Sequence, residues 1–214
     1  INFEDLWFYW TTKRILEKAI SKKNWLILVT GPTWSWKTTT LYTILSKLNT
    51  REKKIITLED PIEYQLPWII QSEVNEKNNY TFEMWLKALL RQDPDIIMLW
   101  EIRDYETLNT ATQASLTGHL VLSTLHTKSA SETLDRVINM WLKPYILASA
   151  LDTIIAQRLV RKICLSCKTE DKIPTSAVED IKHLVPPDSK FYIGKGCKEC
   201  NETGYMGREM ICEV

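Results

Sequence analysis

One stretch near the start of the chain, LILVTGPTWSWKTTT at Leu26 to Thr40, limits what this sequence can fold into. An apolar run leads into a turn at Gly31, and Lys37 followed by three threonines comes after the turn. This order is typical of a strand, a phosphate-binding loop and a helix whose N-terminus faces the loop. The stretch therefore predicts a nucleotide site at the end of a strand in an α/β sheet.

Two residues of this loop conflict with that prediction. The pattern GxxxxGK[ST] requires glycine directly before the lysine, but Trp36 stands there, and Trp34 lies two positions earlier. A tightly curved loop needs backbone angles that glycine adopts without strain and bulky residues do not. An indole at position 36 would also occupy space that a phosphate needs. Either the loop is inactive, or these tryptophans are not the residues that the cell makes.

The composition bears on this choice. The chain has 9 tryptophans and only 6 glycines in 214 residues. Typical glycine usage of about 7% predicts about 15 glycines in this length, and the two residue types together reach that number. This coincidence raises the question of whether each tryptophan stands where glycine is the physical choice.

Carboxylates follow two further apolar runs that we predict to be strands. Glu59, Asp60 and Glu63 come after the run at 54–58, and Glu101 comes after the run at 96–99. Ligands of open parallel sheets bind beyond the carboxyl ends of the strands, so these side chains are placed to meet a metal–nucleotide complex. A solvated turn is the alternative for the first group.

Two histidines, His119 and His126, flank the next predicted strand at 120–125. They indicate a phosphate sensor or a subunit contact, and packed core or surface residues are the alternative. The strands alternate with segments of helical periodicity, which predict helices at 11–21, 38–48, 81–90, 105–115, 130–140 and 145–159. This alternation predicts a mostly parallel sheet.

The cysteines have the spacing of a metal site. Four of the five form two CxxC pairs: Cys164, Cys167, Cys197 and Cys200. This pattern predicts a structural Zn²⁺ held by four thiolates in a small insert without a core of its own. A disulfide framework is the alternative, although it suits a reducing compartment poorly. The fifth, Cys212, is most simply a small buried residue, and residues 175–184 are predicted to form a short helix.

Charge and length set further limits. Lys+Arg 27 against Asp+Glu 27 gives a net charge of zero, which argues against a nucleic-acid partner. No apolar run has the roughly 18 residues of a membrane span, and no signal peptide is visible. Because the first residue is Ile1 rather than Met, we expect a fragment of a longer protein. The domains are predicted at 1–25 (lead-in), 26–163 (core), 164–200 (cysteine insert) and 201–214 (return to the core).

The order of these motifs resembles the type II secretion and type IV pilus assembly ATPases, over most of the chain from Leu26 to Val214. TLEDPIE at 57–63 is similar to the acidic box of that family, LLRQDPD at 89–95 through Arg103-Asp104 to its Walker B region, and 117–127 to its histidine box. AQRL at 156–159 and the four cysteines are similar to the assembly branch, whereas retraction ATPases lack the cysteine insert. The resemblance implies a RecA-like P-loop NTPase core with a mostly parallel sheet, plus a tetracysteine zinc module.

The resemblance also implies roles for named residues. Glu63 would activate or orient the attacking water, supported by Glu59 and Asp60. Lys37 would span the β and γ phosphates, and the Mg²⁺-associated residues would be Thr38, Glu101 and Asp60. The sensor or subunit contacts would be His119, His126, Arg91 and Arg103, with a surface ion pair as the alternative for the arginines. The loop that binds ATP would comprise Gly31, Pro32, Thr33, Trp34, Ser35, Trp36, Lys37, Thr38 and Thr39.

Family membership would make the protein a hexameric ATPase at the cytoplasmic face of the inner membrane. It would hydrolyse ATP to move a membrane platform protein during pilus assembly or type II secretion, using ATP, Mg²⁺ and structural Zn²⁺. A retraction ATPase is one alternative. A non-catalytic ring or scaffold subunit is another, if Trp34 and Trp36 are real, and a nucleic-acid motor on the same fold is a third.

The tryptophans are where the chain departs from the family pattern. The family has glycine at the positions of Trp25, Trp34, Trp36, Trp68, Trp85, Trp100 and Trp141, and less securely at those of Trp7 and Trp10. A decaying gene would scatter changes over many residue types, whereas here one residue replaces one other. We hypothesise that UGA codons that the cell reads as glycine have been translated as tryptophan. A truly tryptophan-bearing, inactive homologue is the alternative.

Overall fold

The computed structural model describes residues 10–74, 82–171, 183–184, 186 and 189–214. The helices are α1 (Trp10–Ile20), α2 (Lys37–Leu48), α3 (Phe82–Leu90), α4 (Tyr105–Leu116), α5 (Ala130–Asn139) and α6 (Pro144–Ala150). The strands are β1 (Trp25–Thr30), β2 (Ile55–Glu59), β3 (Ile70–Glu73), β4 (Ile96–Leu99), β5 (Leu120–Leu125), β6 (Leu151–Ile163), β7 (Lys168–Asp171), β8 (Phe191–Gly194) and β9 (Tyr205–Glu213). Short 3-10 turns occupy Leu165–Cys167 and Lys198–Cys200.

A seven-stranded sheet forms the centre of the fold, in the order β3-β2-β4-β5-β1-β6-β9. Every pairing from β3 across to β6 is parallel. The predicted mostly parallel α/β sheet is therefore confirmed. Because the strands are parallel, the segments that follow β1, β2, β4 and β5 all emerge at one edge of the sheet.

The central strands are buried on both faces. All residues of β2, β4 and β5 are buried, as are five of the six in β1. Continuous apolar runs such as IIML in β4 are what a parallel sheet covered by helices on both faces requires. Leu16, Tyr42 and Ile44 belong to the apolar cluster on one face, and Leu86 and Leu108 belong to the cluster on the other.

Helix starts near the site differ in how they are capped. Asp104 caps α4 by accepting a bond from the Thr107 amide at 2.7 Å, and Ser129 caps α5 by accepting one from the Glu132 amide at 3.1 Å. Helix α2 instead begins after Trp36, and no side chain caps it. Its first amides are therefore available to an anion.

The C-terminal part of one predicted helix is wrong. The helix predicted at 145–159 ends at Ala150, and residues from Leu151 onward form β6, which pairs with β1 in parallel. The short run of Thr153, Ile154 and Ile155 is β-branched, and a short apolar run cannot be assigned to helix or strand by periodicity alone. Pairing with a strand distant in sequence decided the outcome.

Three smaller expectations differ from the structure or extend beyond the residues that it describes. Trp25, which precedes the apolar run at Leu26, is already the first residue of β1. Cys212, expected to be buried, is only partly so. Helix α3 covers Phe82–Leu90. Residue 81, the predicted start of this helix, and most of the helix predicted at 175–184 lie outside the described residues.

Residue contacts divide the chain into two compact units. The core unit comprises Ile1–Leu159 with Met210–Val214, and the cysteine unit comprises Val160–Glu209. In the cysteine unit, β7 and β8 form an antiparallel pair. Among the residues that the structure describes, no helix has the length and apolar character to cross a membrane.

Candidate functional site

The loop between β1 and α2 has the shape that the sequence predicts. Gly31 has a φ of 148°, and a Cβ there would lie 2.3 Å from the Gln157 carbonyl oxygen, so a side chain is excluded. Trp34 and Trp36 follow with φ of 66° and 63°, in the left-handed region. Left-handed residues turn successive backbone amides toward one concavity, which is how such loops bind anions.

Lys37 is the first residue of α2 and folds back over this loop. Its Nζ donates to the Gly31 carbonyl oxygen at 2.9 Å and to the Pro32 carbonyl oxygen at 3.0 Å. Burial lowers the pKa of the Lys37 ammonium, and the nearby charge of Glu101 opposes this shift. A positive charge is therefore held at the mouth of the loop, where phosphate oxygens would lie.

A cavity of about 600 Å³ opens in front of the loop. It is lined by Thr33, Trp34, Ser35, Trp36, Lys37, Thr38, Thr39, Glu63, Trp100, Glu101, Arg103, Thr124 and His126. The segments after β1, β2, β4 and β5 all contribute, as the parallel sheet requires. The fold therefore brings most of the sequence-predicted site residues to one place.

Glu101 is the centre of the charged groups in this cavity. Its carboxylate accepts from the Arg103 Nε at 2.8 Å and lies 3.3 Å from the His126 Nε2. Arg103 also lies 3.9 Å from the Asp60 carboxylate. The Glu101 side chain is only 13% exposed, whereas those of Arg103 and His126 are about half exposed. The Arg103 and His126 side chains thus lie against a carboxylate that is held at the end of a buried strand.

The predicted group of three carboxylates after β2 does not form. Glu59 is fully buried and does not line the cavity. It accepts from the Tyr42 hydroxyl, from the Thr57 hydroxyl at 2.5 Å and from the Gln71 amide at 3.0 Å. A buried carboxylate needs such donors, so Glu59 cannot act as a free ligand and instead ties β2 to α2.

Tyr42 links the loop helix to the acidic segment and was not predicted as a site residue. Its ring meets Tyr64 edge-on, with centroids 4.6 Å apart. Burial, together with the hydrogen bond to Glu59, raises the pKa of Tyr42. A tyrosine in an apolar helix face was the available signal, because a buried hydroxyl needs a partner.

Two of the predicted sensor or subunit contacts lie at the opposite edge of the sheet from the cavity. His119 precedes β5 and Arg91 precedes β4, whereas the cavity lies where those strands end. The His119 Nδ1 lies 2.9 Å from the Ala114 carbonyl oxygen. Neither residue lines the cavity. The length of a buried strand separates His119 from His126.

Gln157 supports the loop from β6 and was not predicted to do so. It is fully buried, and its side-chain amide donates to the Thr40 hydroxyl on α2 at 2.7 Å. The backbone carbonyl oxygen of Gln157 is the atom that leaves no room for a side chain at Gly31. The error in placing β6 hid this contact.

The four predicted metal ligands come together in the cysteine unit. The Sγ atoms of Cys164, Cys167, Cys197 and Cys200 all lie within 4.8 Å of one another, and the shortest separations are 3.7 and 3.8 Å. A tetrahedral ion with metal–sulfur bonds of about 2.3 Å puts sulfurs roughly 3.8 Å apart. A disulfide requires about 2 Å, so these four sulfurs form no disulfide in the structure, and the cluster could hold a metal ion.

Backbone amides donate hydrogen bonds to one of these sulfurs. The Cys200 Sγ accepts from the amides of Cys197 and Gly204, both at 3.2 Å. Burial acts to raise the pKa of Cys200, but these bonds outweigh it and lower that pKa to about 6. Burial raises the pKa of Cys167 to about 12. Hydrogen bonds thus favour the thiolate of Cys200, whereas burial favours the neutral thiol of Cys167.

Comparison with known proteins decides the family. A family model described as "Type II/IV secretion system protein" matches residues 1–214. The chain belongs to this family. Type II secretion system protein E of Pseudomonas aeruginosa is 44% identical over 100% of this chain and 43% of its own length. The type IV pilus assembly ATPase PilB of Myxococcus xanthus is 45% identical over 92% of this chain and 36% of its own length.

A solved structure of a pilus motor protein has a similar fold. The pilus retraction motor PilT with bound ADP is 29% identical, with a TM-score of 0.67 over 100% of this chain and 53% of that one. The predicted membership among secretion ATPases and the predicted fold class are confirmed. This type II/IV secretion system chain spans about two-fifths of the length of the curated relatives that it matches.

Proposed function

We propose that this chain is the ATPase portion of a motor that drives type IV pilus assembly or type II protein secretion. One observation carries the proposal: Lys37 of the loop, Glu63, Glu101, Arg103 and His126 share one cavity at the carboxyl edge of a parallel sheet. The similarity to secretion and pilus assembly proteins supports the choice of process.

In this proposal the loop binds the phosphates of ATP. The uncapped amides at the start of α2 and those from Gly31 to Thr39 donate to β-phosphate oxygens. Lys37 exchanges its bonds to the Gly31 and Pro32 carbonyls for bonds to phosphate, which restores full hydrogen bonding to a buried ammonium.

Mg²⁺ fits the oxygen donors of the same cavity. The hydroxyl of Thr38 and the carboxylate of Glu101 both line it, and Mg²⁺ prefers such hard ligands. When bound, Mg²⁺ would neutralise phosphate charge. Glu101 would release Arg103 and His126, and these two side chains would turn toward the γ-phosphate. Asp60, close to Arg103, would help to hold the arginine in reach.

Glu63 is the proposed group that orients the attacking water. It is exposed on the acidic segment and lines the cavity opposite the loop. The fixed position of that segment depends on Tyr42 and Glu59, which anchor its start to α2. Glu59 therefore has a positioning role rather than the direct supporting role inferred from sequence.

For the cysteine unit we propose structural Zn²⁺. Four thiolates at tetrahedral spacing fill the coordination sphere and leave no position for a substrate. The ion would hold together a unit in which the described residues include few buried apolar side chains. We propose that the domain bounds expected from the sequence apply, with the insert at 164–200.

The remaining proposals concern assembly. We propose a homohexamer at the cytoplasmic face of the inner membrane, acting on a membrane platform protein, without nucleic acid. A second cavity of about 380 Å³ shares Glu101, Arg103 and His126 with the nucleotide cavity and continues to Arg136 on α5. We propose that a neighbouring subunit contributes to the site there, and that His119 and Arg91 serve only subunit contacts.

Two alternatives have specific support. The likeness to PilT favours a retraction motor, although the cysteine cluster favours the assembly branch. The indoles of Trp34 and Trp36 in the cavity favour a non-catalytic scaffold.

Steady-state ATPase kinetics of the full-length protein, made with glycine at positions 34 and 36, tests the proposal. We expect Glu63→Gln to lower kcat by at least tenfold with nearly unchanged nucleotide affinity, because water activation acts in the transition state. Glu52→Gln, an exposed acid away from the cavity, is the control. Equal kcat for Glu63→Gln and the parent would refute the role of Glu63. No hydrolysis by the parent would support the scaffold.

A further inference from the structure

Four tryptophans have a backbone conformation that tryptophan does not favour. Trp34, Trp36, Trp68 and Trp141 have φ of 66°, 63°, 64° and 68°. In this left-handed region the Cβ atom crowds the backbone carbonyl, and bulky residues there are outliers. Glycine has no Cβ and enters the region freely.

The other left-handed residues show how unusual this is. Among the residues that the structure describes, three further non-glycine residues have positive φ: Asp93, Asn201 and Glu202. Asp and Asn tolerate this conformation because their short polar side chains bond locally to the backbone. Tryptophan has no such means, yet it supplies four of the seven non-glycine cases.

The same side chains do little for packing. Trp34, Trp68 and Trp141 are 83%, 83% and 85% exposed, and Trp36 is 39% exposed. Tryptophan normally buries a large apolar area, whereas three of these indoles project into solvent. The backbone is thus strained at positions where the side chain gives nothing in return.

The distribution of the two residue types points the same way. The core unit holds all nine tryptophans but only two glycines, Gly31 and Gly118. The much smaller cysteine unit holds the other four glycines and no tryptophan. Counted together, the two types give the core unit about 7% of its residues, which is the ordinary frequency of glycine alone.

We propose that positions 34, 36, 68 and 141 are glycine in the protein that the cell makes, and that all nine tryptophans arise from UGA codons decoded as glycine. The left-handed φ angles and the exposure of the side chains support glycine at these four positions independently of any family pattern. A single decoding rule extends the assignment to Trp25, Trp85 and Trp100, whose side chains are half-buried.

The assignment removes two indoles from the lining of the nucleotide cavity. Trp34 and Trp36 line that cavity beside Lys37. Glycine at both positions would keep the amide-presenting conformation of the loop and open the space in front of it. Glycine before Lys37 also completes the phosphate-loop pattern.

The deciding experiment is peptide mass spectrometry of protein isolated from its own cells, together with the nine codons. The tryptic peptide covering 24–37 contains Trp25, Trp34 and Trp36. We expect glycine at all three positions and UGA at all nine codons. Tryptophan at position 34 or 36 in the native peptide, or UGG at either codon, overturns the proposal.

Two recombinant double variants separate this proposal from the proposed ATPase. From a parent that carries all nine tryptophans, Trp34→Gly/Trp36→Gly should tighten Mg·ATP binding at least tenfold in calorimetry. The matched pair Trp68→Gly/Trp141→Gly lies outside the cavity and should leave binding unchanged, while both pairs raise Tm. If native peptides show glycine but the loop pair binds no ATP, the decoding stands and the ATPase proposal fails.

Discussion

Both units contain backbone positions that favour glycine, but the cysteine unit has glycine at such positions and the core unit has tryptophan at several of them. In the cysteine unit, Gly194 and Gly204 approach so closely that a Cβ on Gly194 would lie 1.9 Å from the Gly204 carbonyl oxygen. Gly31 is equally confined in the core unit. At positions 34, 36, 68 and 141, by contrast, a left-handed turn holds tryptophan.

This difference separates two reasons for glycine. Close approach of another backbone excludes every side chain, because there is no space for a Cβ. A left-handed φ only strains a side chain, which survives if it can project into solvent. A fold can therefore keep its outline with tryptophan at the strained positions, as the phosphate loop does.

The candidate sites of the two units also differ in how enclosed they are. The cysteine cluster is closed, because four sulfurs surround a point. The nucleotide cavity is open, and its charged groups pair with one another. We expect the first site to govern folding and the second to govern chemistry.

The largest effect should come from the metal ligands. Cys200→Ala should release the metal and unfold the cysteine unit, because structural zinc contributes on the order of 10 kcal/mol. Metal content and the circular dichroism of the full-length protein measure this. Cys212→Ala, outside the cluster, is the control. Retention of one metal per chain by the Cys200 variant would contradict the four-thiolate assignment.

A smaller but specific effect is expected at Lys37. In protein with glycine at 34 and 36, Lys37→Ala should weaken ATP hydrolysis about a hundredfold, or about 3 kcal/mol in the transition state. Lys47 lies on the same helix as Lys37 and forms an exposed ion pair with Glu17 of α1, so Lys47→Ala should change hydrolysis little. Similar losses of activity in both variants would contradict a specific role of Lys37 in the site.

Close approach can be tested directly. Gly194→Ala should destabilise the cysteine unit by about 3 kcal/mol through overpacking. Gly207→Ala is the matched control, since Gly207 is left-handed at 80° but has open space around its Cβ position. Equal thermal shifts in the two variants would mean that backbone strain, not contact, explains the glycines.

Tyr42→Phe should cost about 2 kcal/mol, because buried Glu59 loses a donor. The raised pKa of Tyr42 means that the folded state retains its proton where the unfolded state, near pH 10, begins to lose it. This contribution is complete below pH 10 and is lost as pH rises above it. Denaturant titrations should therefore show the parent and Tyr42→Phe converging at alkaline pH. Tyr145→Phe, largely exposed, is the control, and a constant difference at every pH would contradict the linkage.

The smallest expected effect is relief of strain. Trp68→Gly and Trp141→Gly should each stabilise the recombinant protein by about 1 kcal/mol, since the left-handed cost of a side chain disappears. Trp25→Gly, in strand β1, should destabilise it instead, because glycine weakens strands. Thermal unfolding measures all three, and destabilisation by Trp68→Gly would count against strain at that turn.

Local pattern was sufficient for much of this protein. The phosphate loop, the buried strands β2, β4 and β5, and the four clustered cysteines follow from short stretches whose spacing carries the physical constraint. The carboxyl edge of a parallel sheet then predicted that Lys37, Glu63 and Glu101 would meet. Each of these inferences uses neighbours in sequence or a rule of sheet topology.

Only the tertiary structure assigned the side chains whose role depends on distant partners. From the sequence Glu59 is predicted to be a free carboxylate, but in the fold it is buried and bonded to Tyr42 and Gln71. Residues 151–159 are predicted to be helical, but they form a strand that pairs with β1. His119 and His126 look equivalent until a buried strand separates them. Sequence determined which groups exist and near which strand end. Packing across the sheet decided which of them are exposed to the cavity, because burial and pairing depend on segments far apart in the chain.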